Sequence, residues 1–150
     1  MSSGIIISTH SLVLQSVTRK QSGDYSCVAT NSRGERASVP VNLRVRYAPV
    51  CRYDEITVIG ASLDEVLKVR CQVSADPGEV TFVWQFNNSG DSFEVSPARF
   101  ATSSGNVSEL MYTPASQRDY GTLTCWGKNS IGRQQEPCVF QVVPAGELLL

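Results

Sequence analysis

The fold of this chain is decided by the stretch Asp-Tyr-Gly-Thr-Leu-Thr-Cys at residues 119–125, because part of it occurs twice. A shift of 98 residues places Cys27 on Cys125, and it also aligns a glycine before each cysteine and an Asn-Ser pair after it. A repeat of this kind indicates that one structural unit is present twice. The boundary between the copies falls at Tyr47-Ala48-Pro49, with almost no linker.

The second copy also has the upstream residues that its cysteine needs. Cys71 lies 54 residues before Cys125, and Trp84 follows Cys71 by 13 residues. In an immunoglobulin sandwich, a cysteine on each facing sheet forms a bridge across the core, and a tryptophan packs on that bridge. Closing a loop of this length stabilises a fold by roughly 4 kcal/mol in the chain-entropy model. We therefore predict an all-β, immunoglobulin-like β-sandwich with a Cys71–Cys125 disulfide and Trp84 in its core.

In most of the second copy, apolar and polar residues alternate with the two-residue period of β-strands. The best example is residues 67–73, where Leu, Val, Cys and Val alternate with Lys, Arg and Gln. The turn signal Asp76-Pro77-Gly78 follows shortly afterwards, and no window has helical periodicity. Short strands joined by short connections predict an all-antiparallel sandwich of two sheets.

The repeat also predicts the domain organisation. Residues 48–144 have the pattern of one complete domain, whereas residues 1–46 match only its later part, about strands D to G in the usual lettering. Residues 145–150 are expected to begin a linker to a following domain. Arg99 and Asp119 match an ion pair of the intermediate type of this sandwich, so that type is predicted. With no signal peptide and no apolar span, the chain is expected to be a piece of a longer protein.

The five cysteines indicate an oxidising compartment. Cys51 and Cys138 belong to the first and last strands of the second unit, which run side by side in such sandwiches. A second disulfide between them is predicted, and two unpaired buried thiols are the alternative. Cys27 is expected to pair with a cysteine outside this chain. Because His10 is the only histidine and no cysteines are closely spaced, neither a metal site nor a cofactor is expected.

The residue two before the second cysteine often forms a tyrosine corner, in which its hydroxyl bonds the backbone a few residues upstream. Tyr25 has this position before Cys27, whereas Leu123 has it before Cys125. The second unit therefore lacks the usual donor, and Tyr120 is a candidate replacement.

Two surface features are candidates for function. Asn87 and Asn106 begin N-glycosylation motifs in turn-rich segments. Trp126 is predicted on the outer face of its sheet because the cysteine before it points inward, with Val83 and Gln85 beside it on the neighbouring strand. Immunoglobulin domains often pair through this sheet, and tryptophan is enriched at binding hot spots. The competing interpretation, which the sequence favours, is that Trp126 only covers the sheet.

Composition excludes several function classes. The 13 basic and 14 acidic residues nearly balance, so no basic surface for nucleic acid or anionic lipid is expected. The sequence has no nucleophile elbow, zinc-protease motif or P-loop, so neither an enzyme nor a small-molecule substrate is expected. Membrane association is expected only through a transmembrane segment outside this chain.

Three stretches resemble the insect Sidestep family of immunoglobulin-superfamily cell-surface proteins. They are Tyr-Ala-Pro-Val-Cys at 47–51, Tyr-Gly-Thr-Leu-Thr-Cys-Trp-Gly-Lys-Asn-Ser-Ile-Gly at 120–132 and Glu-Pro-Cys at 136–138. The resemblance implies the extracellular part of a single-pass neuronal or muscle protein, a ligand for Beaten-path-type immunoglobulin receptors in axon guidance and cell adhesion. It also implies that membrane-distal domains recognise the partner, so that the units seen here supply reach and orientation.

Other function classes fit the same residues. A structural module of a secreted matrix protein or receptor ectodomain is the main alternative. An intracellular muscle-type immunoglobulin domain is the third, and its reducing compartment would leave the cysteines as thiols. The predicted function is an extracellular protein-binding module at the cell surface.

Overall fold

The computed structural model describes residues 4–7 and 10–146, and the chain divides into two compact units, Met1–Tyr47 and Ala48–Leu150. Regular structure in the described part is β-strand, interrupted by three single 3₁₀ turns. None of the helical segments described is long or apolar enough to cross a bilayer.

The described residues of the first unit form three antiparallel strand pairs. They are β1 (Gly4–Ile7) with β2 (Leu12–Gln15), β3 (Gly23–Tyr25) with β6 (Val41–Leu43), and β4 (Val28–Asn31) with β5 (Gly34–Ala37). No described side chain of this unit is buried, and Val39 and Val41 are 85% and 69% exposed. The Tyr25 hydroxyl donates to the Gln21 carbonyl at 2.5 Å, which confirms the predicted tyrosine corner.

The second unit is a sandwich of two sheets. Its strands are β7 (Tyr47–Cys51), β8 (Thr57–Ala61), β9 (Leu67–Asp76), β10 (Thr81–Asn87), β11 (Ser92–Glu94), β12 (Phe100–Ser104), β13 (Val107–Tyr112), β14 (Gly121–Lys128) and β15 (Cys138–Pro144). One sheet has the order β11-β10-β14-β15-β8, and the other has the order β12-β13-β9-β7. The predicted all-β immunoglobulin-like fold is therefore present.

One strand pair contradicts the all-antiparallel prediction. β8 lies parallel to β15, with Thr57 opposite Phe140 and Ala61 opposite Pro144. The cause is the connection at residues 52–56, which carries the chain from the four-stranded sheet to the five-stranded one. The chain therefore enters the five-stranded sheet beside β15, and β8 runs in the same direction as β7.

The core centres on Trp84, which is fully buried between the sheets. Buried and exposed residues alternate along the whole of β10, as a strand with one covered face requires. Cys71 and Cys125 form the bridge beside it, with a Cα–Cα distance of 6.5 Å. The Trp84 indole N–H donates to the hydroxyl of Ser108 at 2.9 Å, so its one polar group is satisfied inside the core.

The corner before β14 uses a donor that the sequence did not indicate. Leu123 is fully buried there, and the hydroxyl of Tyr112 on β13 donates to the Asp119 carbonyl at 2.5 Å. The 98-residue shift places Asp119 on Gln21, so the same carbonyl is bonded in both units, by different tyrosines. Tyr120 instead donates to the Ala61 carbonyl at 2.7 Å, which ties this corner to β8.

Asp119 has a different role from the predicted ion pair with Arg99. Its Oδ2 accepts hydrogen bonds from the backbone N–H groups of Ala115 and Ser116, at 2.8 and 3.3 Å. No ion pair between Arg99 and Asp119 is found among the described residues. The carboxylate therefore closes the turn before β14, and the prediction of the ion pair was wrong.

A second disulfide joins β7 to the start of β15, which belong to different sheets, with Cys51 and Cys138 at a Cα–Cα distance of 5.6 Å. Gln134 is buried against it, and its amide Nε2 lies 3.0 Å from the Cys51 sulfur. The Oε1 of the same amide accepts from the Gly127 N–H at 2.7 Å. One buried side chain therefore links the end of β14 to the bridge between the first and last strands.

Candidate protein-interaction face

The candidate site lies on the outer side of the five-stranded sheet, here named the Trp126 face. Because Trp84 and Cys125 point into the core, the strand period directs the alternate residues of β10 and β14 outward. The Trp126 face consists of Thr81, Val83, Gln85 and Asn87 on β10 and of Thr122, Thr124, Trp126 and Lys128 on β14.

Trp126 and Val83 form the apolar centre of this face. They are directly opposite each other in the register of β10 and β14, which places their side chains in contact range. Val83 is 37% exposed and Trp126 is partly buried. An open groove of about 370 Å³ runs past them, lined also by Thr81, Gln85, Gly127, Lys128 and Arg133. The structure thus brings together Trp126 and Val83, and it places Gln85 one step further along the strand.

The indole N–H of Trp126 has no hydrogen-bond acceptor among the described residues, although the nitrogen is buried. An unpaired buried donor costs about 1–3 kcal/mol, so most native structures contain few of them. The other tryptophan, Trp84, has its acceptor in Ser108. The two tryptophans therefore differ in whether the indole N–H has an acceptor.

Two exposed cations flank the groove. Lys128 and Arg133 face each other across the hairpin that follows β14, in an antiparallel bridge, and neither has an ion-pair partner among the described residues. Like charges placed opposite each other destabilise a strand pair. The hairpin holds them there, because the Asn129 Oδ1 accepts from the N–H groups of Ile131 and Gly132, at 3.0 and 3.2 Å.

Sequence reasoning missed this cation pair for an identifiable reason. The outward position of Lys128 is predicted by the same strand period that places Trp126 outward. The position of Arg133 is not, because it depends on the register of the hairpin, in which the Gln134 N–H returns to the Gly127 carbonyl at 2.9 Å.

The remaining predicted residues lie outside this apolar centre. Asn87 is exposed at the opposite end of the Trp126 face, and Asn106 lies in the turn before β13 on the other sheet. Cys27 is exposed and unpaired in the described part of the first unit. The described residues contain no group of three or more histidine, cysteine or acidic side chains placed to hold a metal ion.

Several known proteins are similar to the chain in sequence. It is 33% identical to mouse hemicentin-1 over 122 residues, which make up 81% of this chain and 2% of hemicentin-1. It is 27% identical to the synaptogenesis protein syg-1 of Caenorhabditis elegans over 125 residues, 81% of this chain and 17% of that protein. The chain thus spans a small part of the length of these relatives. No protein-family model matches it.

Solved structures show the same fold. An I-band fragment of titin superposes with a TM-score of 0.54 at 19% identity, over 96% of this chain and 49% of that fragment. One chain of the complex of Dpr2 Ig1-Ig2 with DIP-Theta Ig1-Ig3 superposes with a TM-score of 0.51 at 23% identity, over 87% of this chain and 43% of that one. The fold is that of immunoglobulin domains. The sequence relatives are immunoglobulin-superfamily adhesion, guidance and structural proteins, either at the cell surface or extracellular, and they are not enzymes.

Proposed function

We propose that this chain is part of a Sidestep-type ligand at the cell surface, which acts in cell adhesion and axon guidance by binding a Beaten-path-type immunoglobulin receptor. The motifs at residues 47–51 and 120–132 support the family. Two similar proteins support the role, since syg-1 is named for synaptogenesis and the similar solved chain belongs to the complex of Dpr2 with DIP-Theta. The two disulfides support an extracellular location, because such bridges persist in oxidising compartments.

We assign the binding to the Trp126 face, and one observation carries this assignment. An open groove runs past the apolar pair Trp126 and Val83, and on its rim Lys128 and Arg133 have no ion-pair partner among the described residues. A carboxylate of the partner would neutralise Lys128 and Arg133. An apolar centre with a polar rim is also the usual anatomy of a protein interface. The expected partner surface therefore presents Asp or Glu next to an apolar side chain.

The test is a reversal of the two rim charges, in the variant Lys128→Glu with Arg133→Glu. The probe is the immobilised ectodomain of a Beaten-path-type receptor, and its affinity for the full chain is measured at low and at high salt. Rim charges steer association and are screened by salt. We expect binding at least tenfold weaker at low salt, and a smaller loss at high salt.

A matched control carries the same change of charge on the other sheet. Lys68 and Arg70 are exposed on β9, and their replacement by Glu leaves the Trp126 face intact. It removes the surface ion pair of Lys68 with Glu109 (3.5 Å), and such exposed pairs contribute about 0–1 kcal/mol. The control variant is expected to bind like the wild type. Equal affinity of both variants and the wild type would contradict the assignment, and would leave this part of the chain as a spacer.

A further inference from the structure

The two N-glycosylation motifs of the chain have different settings in the structure, and one of them is explained by the fold itself. The second motif, Asn106-Val107-Ser108, lies at the start of β13. The Asn106 Nδ2 donates to the Val73 carbonyl at 3.0 Å, and the Asn106 carbonyl accepts from the Val73 N–H at 3.0 Å. Asn106 therefore fastens its turn to β9 with both its side chain and its backbone.

The hydroxyl of this second motif is equally committed. Ser108 is fully buried, and its Oγ accepts the indole N–H of Trp84 at 2.9 Å. A hydroxyl is stable inside a core only where it is hydrogen-bonded, and this one satisfies the core tryptophan. Asn106 and Ser108 thus each have a structural role. These two roles account for the motif that they form without glycosylation.

The first motif, Asn87-Asn88-Ser89, has an open setting. Asn87 and Ser89 are exposed, and the Asn87 side chain has no hydrogen bond among the described residues. Asn88 shapes the turn between them, because its Oδ1 accepts from the N–H groups of Gly90 and Asp91 at 2.8 and 2.6 Å. The amide nitrogen of Asn87 is therefore free to carry a bulky substituent at the surface.

We propose that Asn87 carries an N-linked oligosaccharide and that Asn106 does not. The donor is an oligosaccharide on a polyprenyl diphosphate. The bond from the sugar C1 to the diphosphate oxygen breaks as the bond from C1 to the Asn87 Nδ2 forms. One proton leaves the nitrogen, and the polyprenyl diphosphate is the leaving group.

The position of this glycan limits how a partner reaches the Trp126 face. Asn87 lies on that face four residues from Val83, a distance of about 13 Å along a strand. The glycan covers the Asn87 end and leaves open the end with Trp126, Lys128 and Arg133. This last step rests on the proposed function, whereas the modification of Asn87 does not.

Site occupancy is tested by intact mass, with and without removal of N-glycans, on the full chain directed through the secretory pathway of insect cells. We expect one glycan, which is absent from Asn87→Gln and from Ser89→Ala and retained in Asn106→Gln. An unmodified chain, or a glycan on Asn106, would overturn the proposal. Ser108→Ala is expected to keep the glycan and to melt at a lower temperature, because it leaves the Trp84 N–H unpaired.

The effect of a glycan on access to the Trp126 face is tested by moving the glycan from position 87 to position 128. Lys128→Asn creates the motif Asn-Asn-Ser at residues 128–130, beside Trp126, and Lys128→Gln removes the same charge without a motif. In the Asn87→Gln background, a glycan at position 128 is expected to weaken binding of the receptor ectodomain at least tenfold relative to Lys128→Gln. Asn87→Gln alone is expected to bind within twofold of the glycosylated wild type.

The outcomes separate the two proposals. If the glycan at position 128 leaves the affinity unchanged, the Trp126 face is not the binding surface, and the occupancy of Asn87 is unaffected. If Asn87→Gln changes the affinity more than tenfold in either direction, the receptor contacts the Asn87 end of the face. The proposal that the glycan leaves the binding surface open is then wrong.

Discussion

Replacing Tyr112 by Phe removes a single hydroxyl and tests how the second unit holds its corner before β14. That hydroxyl donates to the Asp119 carbonyl at 2.5 Å, and Tyr112 is only 4% exposed. A net hydrogen bond contributes about 1 kcal/mol, and an unsatisfied buried carbonyl raises the cost to about 1–3 kcal/mol. For a unit of this size, each kcal/mol lowers the melting temperature by roughly 4–8 °C. We therefore expect Tyr112→Phe to melt several degrees below the wild type.

Ionisation of the same hydroxyl is expected to make the stability of the second unit depend on pH. Burial and, to a smaller extent, the charge of Asp119 raise the pKa of Tyr112 to about 12, and the charge of Arg99 opposes the rise. A pKa above the unfolded value of about 10 favours the neutral, folded form. Its contribution to stability is fully present below pH 10 and is lost as the pH rises through about 12. The stability difference between wild type and Tyr112→Phe is therefore expected to shrink over that range.

The assay is urea unfolding at pH 8 and at pH 11, with Cys27 alkylated so that no free thiol exchanges with the disulfides. Tyr53→Phe is the control, because Tyr53 is 68% exposed and its hydroxyl forms no hydrogen bond among the described residues. A Tyr112→Phe variant that is as stable as the control at both pH values would refute this account of the corner.

Three further predictions concern the organisation of the chain. Residues 1–46 made alone are expected to give no cooperative unfolding, because none of their described side chains is buried, whereas residues 48–144 should melt sharply; calorimetry of both fragments decides this. Non-reducing peptide mapping should yield Cys71–Cys125 and Cys51–Cys138, and a Cys51–Cys125 peptide would contradict the strand order. Gln134→Ala should cost about 1–3 kcal/mol by leaving the buried Gly127 N–H unpaired, and the exposed neighbour Gln135→Ala should cost almost nothing in the same urea titration.

The sequence predicted those parts of the fold that depend on local periodicity or on a single long-range bridge. Cys71, Trp84 and Cys125 lie on the inward faces of three strands. Because these faces must be buried together, few other strand arrangements are possible. The outward position of Trp126 follows from the same period. The domain pattern was readable because the fold repeats it after 98 residues.

Other features depend on how distant elements meet, which local patterns do not record. The parallel pairing of β8 with β15 results from the sheet change at residues 52–56, a segment without any periodic signal. The period places Tyr112 inward, but the carbonyl that it meets is determined by the packing of the corner. Asp119 was assigned to Arg99 on its spacing, whereas nearby backbone N–H groups bind its carboxylate.

The central claim, that the Trp126 face binds a partner protein, is tested most directly by Trp126→Ala with two measurements on the full chain. The first is the affinity for the receptor ectodomain, and the second is the melting temperature. We expect the affinity to fall by about 2 kcal/mol, roughly 30-fold, because a buried aromatic anchor is lost from the interface. The melting temperature should change little, because the side chain lies outside the sandwich core. Met111→Ala, which truncates an exposed side chain on the other sheet, is the control for both measurements. An unchanged affinity together with a lower melting temperature would contradict the claim, since Trp126 would then only cover its sheet.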